Sequence, residues 1–178
     1  MAKTNLDENR VCRFLRSHEL MPVRYPKIRG RSKTKAPDFQ VSGPNDVFFL
    51  CEVKSVLTST GPDGILHSTI FNGLTEDVHE AVKQFRSVNS THSVPNVLAW
   101  VSHNFQINVH SFLDLINGRI TIERLLVADL TKFRHGRLAK EINDIDLHVW
   151  LESDDTPQYV FNSGHPPLSR QLRRAFGK

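Results

Sequence analysis

The sequence predicts an α/β fold of three layers, in which helices cover both faces of a central mixed β-sheet. The first hundred residues follow the order helix, three strands, helix, strand, which is typical of that architecture. Residues 47–54 are apolar on both faces, as expected of a strand at the centre of a sheet. A chain of 178 residues is the size of one domain. We expect a core at about 5–102, a C-terminal elaboration at about 103–164 and a basic tail at 165–178.

The first elements are predicted from apolar spacing and turn residues. A helix is expected over about 5–19, because Val11, Phe14 and Leu15 share one face. The next element is a short strand at about 23–28, which two prolines confine to the edge of the sheet. The turn-forming residues 42–46 then separate a strand that begins at residue 37 from the apolar strand 47–54.

The later elements follow the same reasoning. A second helix is expected to start at Thr75 and run to about residue 87, since Val78, Val82 and Phe85 are spaced for one helical face. Residues 96–102 form a second buried strand, and residues 61–64 a turn. The remaining predictions are helices near 109–116, 132–142 and 168–176, a strand or mixed segment at 120–130, and a strand at 145–151.

Charge is unevenly distributed along the chain. The net charge is only +4, but ten of the 23 basic residues lie in two segments without acids, at 22–35 and 165–178. The rest of the chain carries 13 basic and 19 acidic side chains, so it is acidic. Two basic segments on an acidic body indicate a polyanionic partner.

Several classes of protein are excluded by composition. No apolar run approaches the ~18 residues of a membrane span, so we expect no membrane partner. The N-terminus lacks the apolar segment of a signal peptide, which indicates a cytoplasmic, intracellular protein. Cys12 and Cys51 cannot make a disulfide framework and are expected to be small buried side chains.

Charged residues interrupt the best strand in an informative place. Glu52 and Lys54 point to the same face at the end of strand 47–54. If the preceding turn is centred on Asn45, opposed residues have numbers that sum to 90, and Asp38 faces Glu52. Two carboxylates that close repel each other unless they share a proton or a cation. Mg²⁺ would resolve the clash, because it binds one or two carboxylates and fills its other positions with water and phosphate oxygens.

The residues in this hairpin resemble a known signature. Pro37-Asp38, followed after 13 residues by Glu52-Val53-Lys54, resembles the PD-(D/E)xK motif of the restriction-endonuclease-like nuclease superfamily. The order of elements around the motif, over about residues 5–102, also resembles that superfamily's core. The resemblance implies a restriction-endonuclease-like α/β/α fold. It further implies a metal-dependent nuclease, an endonuclease that hydrolyses phosphodiester bonds in DNA with Mg²⁺, or with Mn²⁺ as a substitute.

The resemblance also implies roles for individual residues. Asp38, Glu52 and the backbone carbonyl of Val53 would hold the metal, and Lys54 would orient or help deprotonate the attacking water.

Two further catalytic residues are implied on the helices. Glu8 would be an additional acidic residue near the metal, with Glu19 as the other candidate. Gln84 looks like the glutamine that some branches carry on the helix after the motif.

The basic segments would bind the nucleic acid backbone. Phosphate contacts of this kind position a substrate without reading its sequence. RNA remains an alternative to DNA, and a homodimer remains open. The expected phosphate-binding residues are Arg29, Arg31, Lys33, Lys35, Arg170, Arg173 and Arg174.

Other interpretations of the same residues stay open at this point. Asp38, Glu52 and Lys54 could form a surface ion-pair network, Gln84 could be a solvated helix residue, and Glu8 could interact only with the helix dipole. The basic segments could be a solvated loop and tail. The protein would then be a catalytically inactive, PD-(D/E)xK-like nucleic-acid-binding or structural protein, or an unrelated α/β module that binds an acidic protein.

Overall fold

A six-stranded mixed sheet forms the centre of the molecule. The computed structural model describes residues 3–26, 36–57, 68–103, 107–117, 119–122, 125–129, 137–152, 156–162 and 164–177. The strands lie in the order β1-β2-β3-β4-β7-β8, while β5 and β6 form a separate hairpin. Their bounds are β1 Met21–Arg24, β2 Phe39–Ser42, β3 Phe48–Val56, β4 Asn96–Ser102, β5 Arg119–Ile122, β6 Leu125–Asp129, β7 Leu147–Leu151 and β8 Pro157–Phe161.

The strand directions make the sheet mixed, as predicted. The pairs β1–β2, β2–β3 and β7–β8 are antiparallel, whereas β3–β4 and β4–β7 are parallel. Strand β3 therefore lies inside the sheet and the proline-containing β1 lies at its edge, which confirms both expectations. β7 and β8 belong to the segment predicted as an elaboration, but they extend the same sheet.

The β2–β3 hairpin has the register that the sequence predicts. Phe39 pairs with Cys51 and Val41 with Phe49, so paired residue numbers sum to 90. At the turn, Asn45 and Asp46 both adopt positive φ angles of 57°. Asn and Asp tolerate this left-handed conformation better than most residues, which explains their place in the turn.

Five helices are found in the described residues. They are α1 Lys3–Ser17, α2 Ser68–Val88, α3 Val109–Asn117, α4 Arg137–Glu141 and α5 Pro166–Ala175, with a 3₁₀ turn at Ile142–Asp144.

The helices cover both faces of the sheet and create two apolar cores. On one face, α1 and α5 pack Val11, Leu15 and Leu172 against odd-numbered β3 residues such as Phe49 and Cys51. On the other face, α2, α3 and α4 pack residues such as Val78, Phe112 and Leu138 against Leu50 and Trp100. The three-layer α/β/α arrangement predicted from the sequence is present.

Helix α2 is longer than predicted. It begins at Ser68 rather than Thr75, and the added turns bury Phe71 and Leu74 on the same face as Val78. Gly73 lies at an exposed position of this helix, where a Cβ would meet no neighbouring atom within 4 Å, so packing does not require a glycine there.

Other differences concern the second half of the chain. Strand β8 was not predicted, although Tyr159, Val160 and Phe161 are typical strand residues. The mixed segment at 120–130 is the β5–β6 hairpin. Of the helix expected at 132–142, residues 137–141 form α4 and the earlier part lies outside the described residues, as does the turn expected at 61–64. No helix in the described ranges is long and apolar enough to cross a membrane.

Candidate functional site

Asp38 and β3 are joined at the point where β2 begins. The Val53 N–H donates a hydrogen bond to Asp38 Oδ2 at 2.9 Å. The register continues to place Asp38 opposite Glu52, one pair beyond the last ladder residues Phe39 and Cys51. The two carboxylate-bearing residues therefore lie side by side on neighbouring strands, as the hairpin geometry requires.

Proline at position 37 leaves an opening in this ladder. Continuing the register places Pro37 opposite Val53. A proline has no N–H, so it cannot donate to the Val53 carbonyl. The N–H and C=O of one strand residue point to the same side, so the Val53 carbonyl faces the same edge as the Asp38 carboxylate. Pro37 thus withholds a ladder bond from the Val53 carbonyl, and Asp38 brings its carboxylate to the same side of β3.

Glu52 is a buried carboxyl group in an unfavourable environment. Its residue is 4% exposed, and Oε2 has no hydrogen-bond partner in the part of the chain that the structure describes. Burial, followed by the negative charge of Asp38, raises the pKa of Glu52 to about 8. The neighbouring Lys54 ammonium and Gln84 amide act in the opposite direction but do not outweigh burial.

Lys54 lies among carboxylates. Its Nζ is 3.4 Å from Glu52 Oε1 and 3.1 Å from Glu80 Oε2. Burial on its own would lower the pKa of Lys54. The acidic side chains of Glu52, Glu80 and Asp77 together outweigh it, so the pKa is raised. The side chain is therefore held as an ammonium in contact with the carboxyl groups of Glu52 and Glu80.

Gln84 reaches the same site from α2. It is 7% exposed, so it is a buried residue rather than a solvated one. Its Nε2 donates to the Ala36 carbonyl at 3.4 Å, just before the Pro37-Asp38 pair, and Oε1 has no partner among the described residues.

Two acidic residues of α2 also belong to this site and were missed in the sequence. Glu80 contacts Lys54 directly, and Asp77 lies close enough to influence it electrostatically. Burial raises the pKa of Asp77 to about 6; Lys54 opposes that shift, and Glu80 and Glu76 add to it. Asp77, Glu80 and Gln84 have the i, i+3, i+7 spacing of one helical face and lie inside the helix predicted from Thr75, so this spacing is the signal in the sequence that could have found them.

Glu8 and Glu19 are placed elsewhere. Glu8 is buried on α1, where its Oε2 accepts a hydrogen bond from Arg24 Nη2. Helix α1 packs on the face of β3 that carries Cys51 and Val53, whereas Glu52 and Lys54 lie on the face toward α2. Glu19 is exposed, beyond the end of α1. The structure thus brings together Asp38, Glu52, Lys54 and Gln84, and it gives Glu8 a different partner.

The predicted phosphate-binding residues divide into two groups. Arg29, Arg31, Lys33 and Lys35 lie outside the described residues. Arg170, Arg173 and Arg174 lie on α5, which is anchored by buried Leu172 and Phe176. The Arg173 guanidinium lies over the Phe161 ring at 4.1 Å from its centroid, while Arg170 Nε donates to the Pro166 carbonyl at 3.4 Å. The C-terminal basic segment is therefore a packed helix and not a loose tail.

The donor set fits a small divalent cation. No group of three or more His, Cys, Asp and Glu side chains is arranged to hold a metal within the described ranges. The register places the Asp38 and Glu52 side chains at adjacent positions on one face with the Val53 carbonyl beside them, and Oε2 of Glu52 has no partner among the described residues. This set suits Mg²⁺, which needs only one or two carboxylates and keeps positions for water and phosphate oxygens.

Fold and site together define a three-layer α/β protein whose central strand carries a buried glutamate, a lysine and a facing aspartate. Neither a protein-family model nor a curated protein gives a significant match to the chain. Among solved structures, the chain is similar to that of SfsA from Pyrococcus furiosus in complex with Ca²⁺, with 12% sequence identity and a TM-score of 0.39. The match covers 89% of this chain and 63% of that chain, so this chain spans less than two thirds of the length of SfsA.

Proposed function

We propose that the protein is a PD-(D/E)xK nuclease that uses Mg²⁺ to hydrolyse phosphodiester bonds in DNA as an endonuclease. The observation that carries the proposal is the buried Glu52 carboxyl, whose Oε2 has no partner among the described residues and whose pKa is raised in part by the nearby Asp38 carboxylate.

The energetics of this arrangement favour a role in binding a cation. An ionised carboxylate that is buried costs several kcal/mol unless it is paired, and a second carboxylate beside it adds repulsion. Lys54 offsets only part of that cost, since the pKa of Glu52 is still raised to about 8. A surface ion-pair network would leave the carboxyl solvated and its pKa near the ordinary value. A divalent cation between Asp38 and Glu52 would offset both the burial and the repulsion.

The residues that would hold Mg²⁺ are Asp38, Glu52 and, through its carbonyl, Val53. Once bound there, the cation would polarise the scissile phosphate and lower the pKa of a coordinated water. The Val53 N–H fixes the orientation of the Asp38 carboxylate, so this part of the site is formed before any ligand arrives.

The other residues act on the water and on Glu52. The Lys54 ammonium lies against Glu52 and can donate a hydrogen bond that orients the attacking water or stabilises charge on the phosphoryl oxygens. Gln84 packs against Glu52 from α2 and restricts the orientation of its carboxyl group. Glu80 accepts a hydrogen bond from Lys54 and so restrains it, and the negative charge of Asp77 favours the ammonium form.

The test is cleavage of plasmid DNA with and without Mg²⁺ by the wild type and by Asp38→Asn and Lys54→Met. We expect each substitution to lower the metal-dependent rate about 100-fold or more, because a metal ligand or a charge-stabilising donor is lost. Asp46→Asn is the matched control. Asp46 is exposed at the tip of the same hairpin, and asparagine tolerates its positive φ angle, so this variant should cleave like the wild type.

Equal cleavage by all four proteins would contradict the proposal. DNA binding that persists in the absence of cleavage, with no Mn²⁺ bound in calorimetry, would identify the protein as the inactive nucleic-acid-binding alternative.

A further inference from the structure

A cavity separate from the carboxylate site lies between α1 and the edge strand β1. Its volume is about 570 Å³, within the range of about 300–1,000 Å³ that is usual for ligand sites. It lies on the α1 face of the sheet, whereas Glu52 and Lys54 lie on the α2 face. Its lining includes Leu6, Arg13 and Arg16 of α1, Pro22 and Arg24 of β1, and Phe39 of β2.

Three arginines give this cavity its charge. Arg13 and Arg16 are one helical turn apart on α1, so their side chains start about 5–6 Å apart and share one face. Both are exposed, and no carboxylate in the described part of the chain lies within salt-bridge distance of either. Of the two buried acids of α1, Glu8 pairs with Arg24 and offsets its charge, whereas in the described residues neither Asp7 nor Glu8 forms an ion pair with Arg13 or Arg16, so the two α1 arginines supply the net positive charge of the cavity.

The third arginine is held in place by the protein. Arg24 Nη2 donates to the buried Glu8 carboxylate, and its guanidinium lies 5.7 Å from the centroid of the Phe39 ring. One edge of the guanidinium is thereby fixed while its side chain remains 58% exposed. A fixed guanidinium loses less conformational entropy when it binds a phosphate than a free one does.

The cavity adjoins the carboxylate site through the edge of the sheet. Arg24 pairs with Phe39 in the β1–β2 ladder, and Asp38 is the residue that precedes Phe39. The Tyr25 N–H also donates to the Asp38 carbonyl at 2.9 Å. The residue that carries the Asp38 carboxylate is thus bonded to the strand that borders the cavity, although the two side-chain sites face opposite sides of the sheet.

We infer that this cavity binds the sugar–phosphate backbone of single-stranded DNA next to the cleavage site. Arginine side chains on both walls supply the contacts to phosphate, and the apolar parts of Leu6 and Pro22 supply a surface for the sugar and base. The volume suits a short stretch of one strand rather than the width of a duplex. The inference rests on the proposed function in taking DNA as the ligand, and it assigns a binding role to Arg13, Arg16 and Arg24.

The experiment measures binding of a fluorescent 20-nucleotide single strand by anisotropy, in EDTA, over a series of salt concentrations. The variant Arg13→Gln/Arg16→Gln is compared with Lys83→Gln/Lys140→Gln, which removes the same charge from exposed residues of α2 and α4 on the other side of the sheet. We expect the first variant to bind about tenfold or more weakly. Its salt slope should fall by about 1.4, since each lost phosphate contact of a single strand is worth about 0.7. Arg24→Gln should give about half that change in slope.

Equal affinity and slope in the two double variants would overturn the inference. A duplex of the same sequence that binds as tightly as the single strand, with the same dependence on Arg13 and Arg16, would overturn the assignment to a single strand. The result is separable from the cleavage test, because binding is measured without metal. Loss of binding in Arg13→Gln/Arg16→Gln with no cleavage by the wild type would support the cavity and contradict the nuclease. Normal binding by Arg13→Gln/Arg16→Gln, together with cleavage that depends on Asp38, would support the nuclease and contradict the cavity.

Discussion

Two buried polar clusters border the parallel strands of this sheet, and they differ in how well their groups are satisfied. One surrounds Asp146, just before β7, and the other surrounds Glu52 on β3. Both place an acidic residue almost entirely out of water, at 1% and 4% exposure.

The Asp146 cluster is satisfied by hydrogen bonds. Asp146 Oδ2 accepts from the Asn96 N–H and is paired with His92 Nε2, each at 2.8 Å. Asn89 then donates to Asn96 Oδ1 at 3.0 Å, and Asn96 Nδ2 donates to the Asp144 carbonyl at 2.8 Å. These bonds tie the start of β4 to the start of β7 and to the end of α2.

The Glu52 cluster has oxygen atoms that the described residues leave without partners, on both Glu52 and Gln84. Buried polar groups are normally hydrogen-bonded, so an exception calls for an explanation. The contrast fits a structural role for the Asp146 cluster and the proposed metal-binding role for the Glu52 cluster.

Asp146→Ala should have the largest effect on stability. The substitution leaves the Asn96 N–H and the His92 side chain without their acceptor in the interior, so we expect the free energy of unfolding to fall by about 3 kcal/mol. Urea denaturation of the variant and the wild type measures this difference. A loss below about 1 kcal/mol would show that the cluster is not structural.

His148 is a second buried residue with an atom that lacks a partner among the described residues, and it lies outside the candidate metal site. Its Nδ1 accepts from Trp100 Nε1 at 3.2 Å, its Nε2 has no partner in the described residues, and burial lowers its pKa to about 3. The folded protein keeps His148 neutral while the unfolded chain takes up a proton below about pH 6.5. The contribution of neutral His148 to the free energy of unfolding is therefore fully present above pH 6.5. It is lost as the pH falls toward 3, by about 1.4 kcal/mol per pH unit.

Relative to His148→Gln, the wild type should lose about 2 kcal/mol between pH 7 and pH 5, as measured by urea denaturation at each pH. Parallel curves for the two proteins would show that the pKa of His148 is the same in the folded and unfolded states. Metal-dependent cleavage should be unchanged in the variant, because His148 lies in the core with Trp100 and Phe112, away from Glu52.

Glu52→Gln should have a smaller effect of the opposite sign. Because burial and Asp38 raise the pKa of Glu52 to about 8, this group stabilises the fold fully below about pH 4.5 and loses that contribution as the pH rises toward 8. A neutral glutamine avoids the cost, so we expect unfolding to require about 1–2 kcal/mol more at pH 7.5. The difference should disappear near pH 4. A destabilised variant at pH 7.5 would indicate that the Glu52–Lys54 ion pair outweighs the cost of burial.

The fold was predictable where apolar periodicity is strong. The bounds of β4 match the predicted 96–102, and the register of the β2–β3 hairpin follows from the position of the Asn45 turn. Strand β8 escaped prediction because a segment of five residues at a sheet edge, only partly buried, carries little periodicity.

The candidate site was predictable in part, because Asp38, Glu52 and Lys54 lie on two strands joined by one short turn. Asp77 and Glu80 lie inside the predicted helix, but their approach to Lys54 depends on how α2 packs on the sheet, which helical spacing alone does not specify. The pairing of Glu8 with Arg24 depends on how α1 packs against β1, a tertiary contact between segments that sequence spacing does not specify.

Pro22 has a consequence for how the protein behaves at high concentration. Just after β1, the Tyr25 N–H points toward β2. Because backbone groups alternate in direction along a strand, those of Pro22 and Arg24 point outward from the sheet. An open strand edge is a template for pairing with another chain, which leads to aggregation. At this edge an approaching strand meets a proline without an N–H, followed by a charged arginine. The same short strand that borders the arginine-lined cavity therefore also protects the protein from continuing its sheet into a neighbouring molecule.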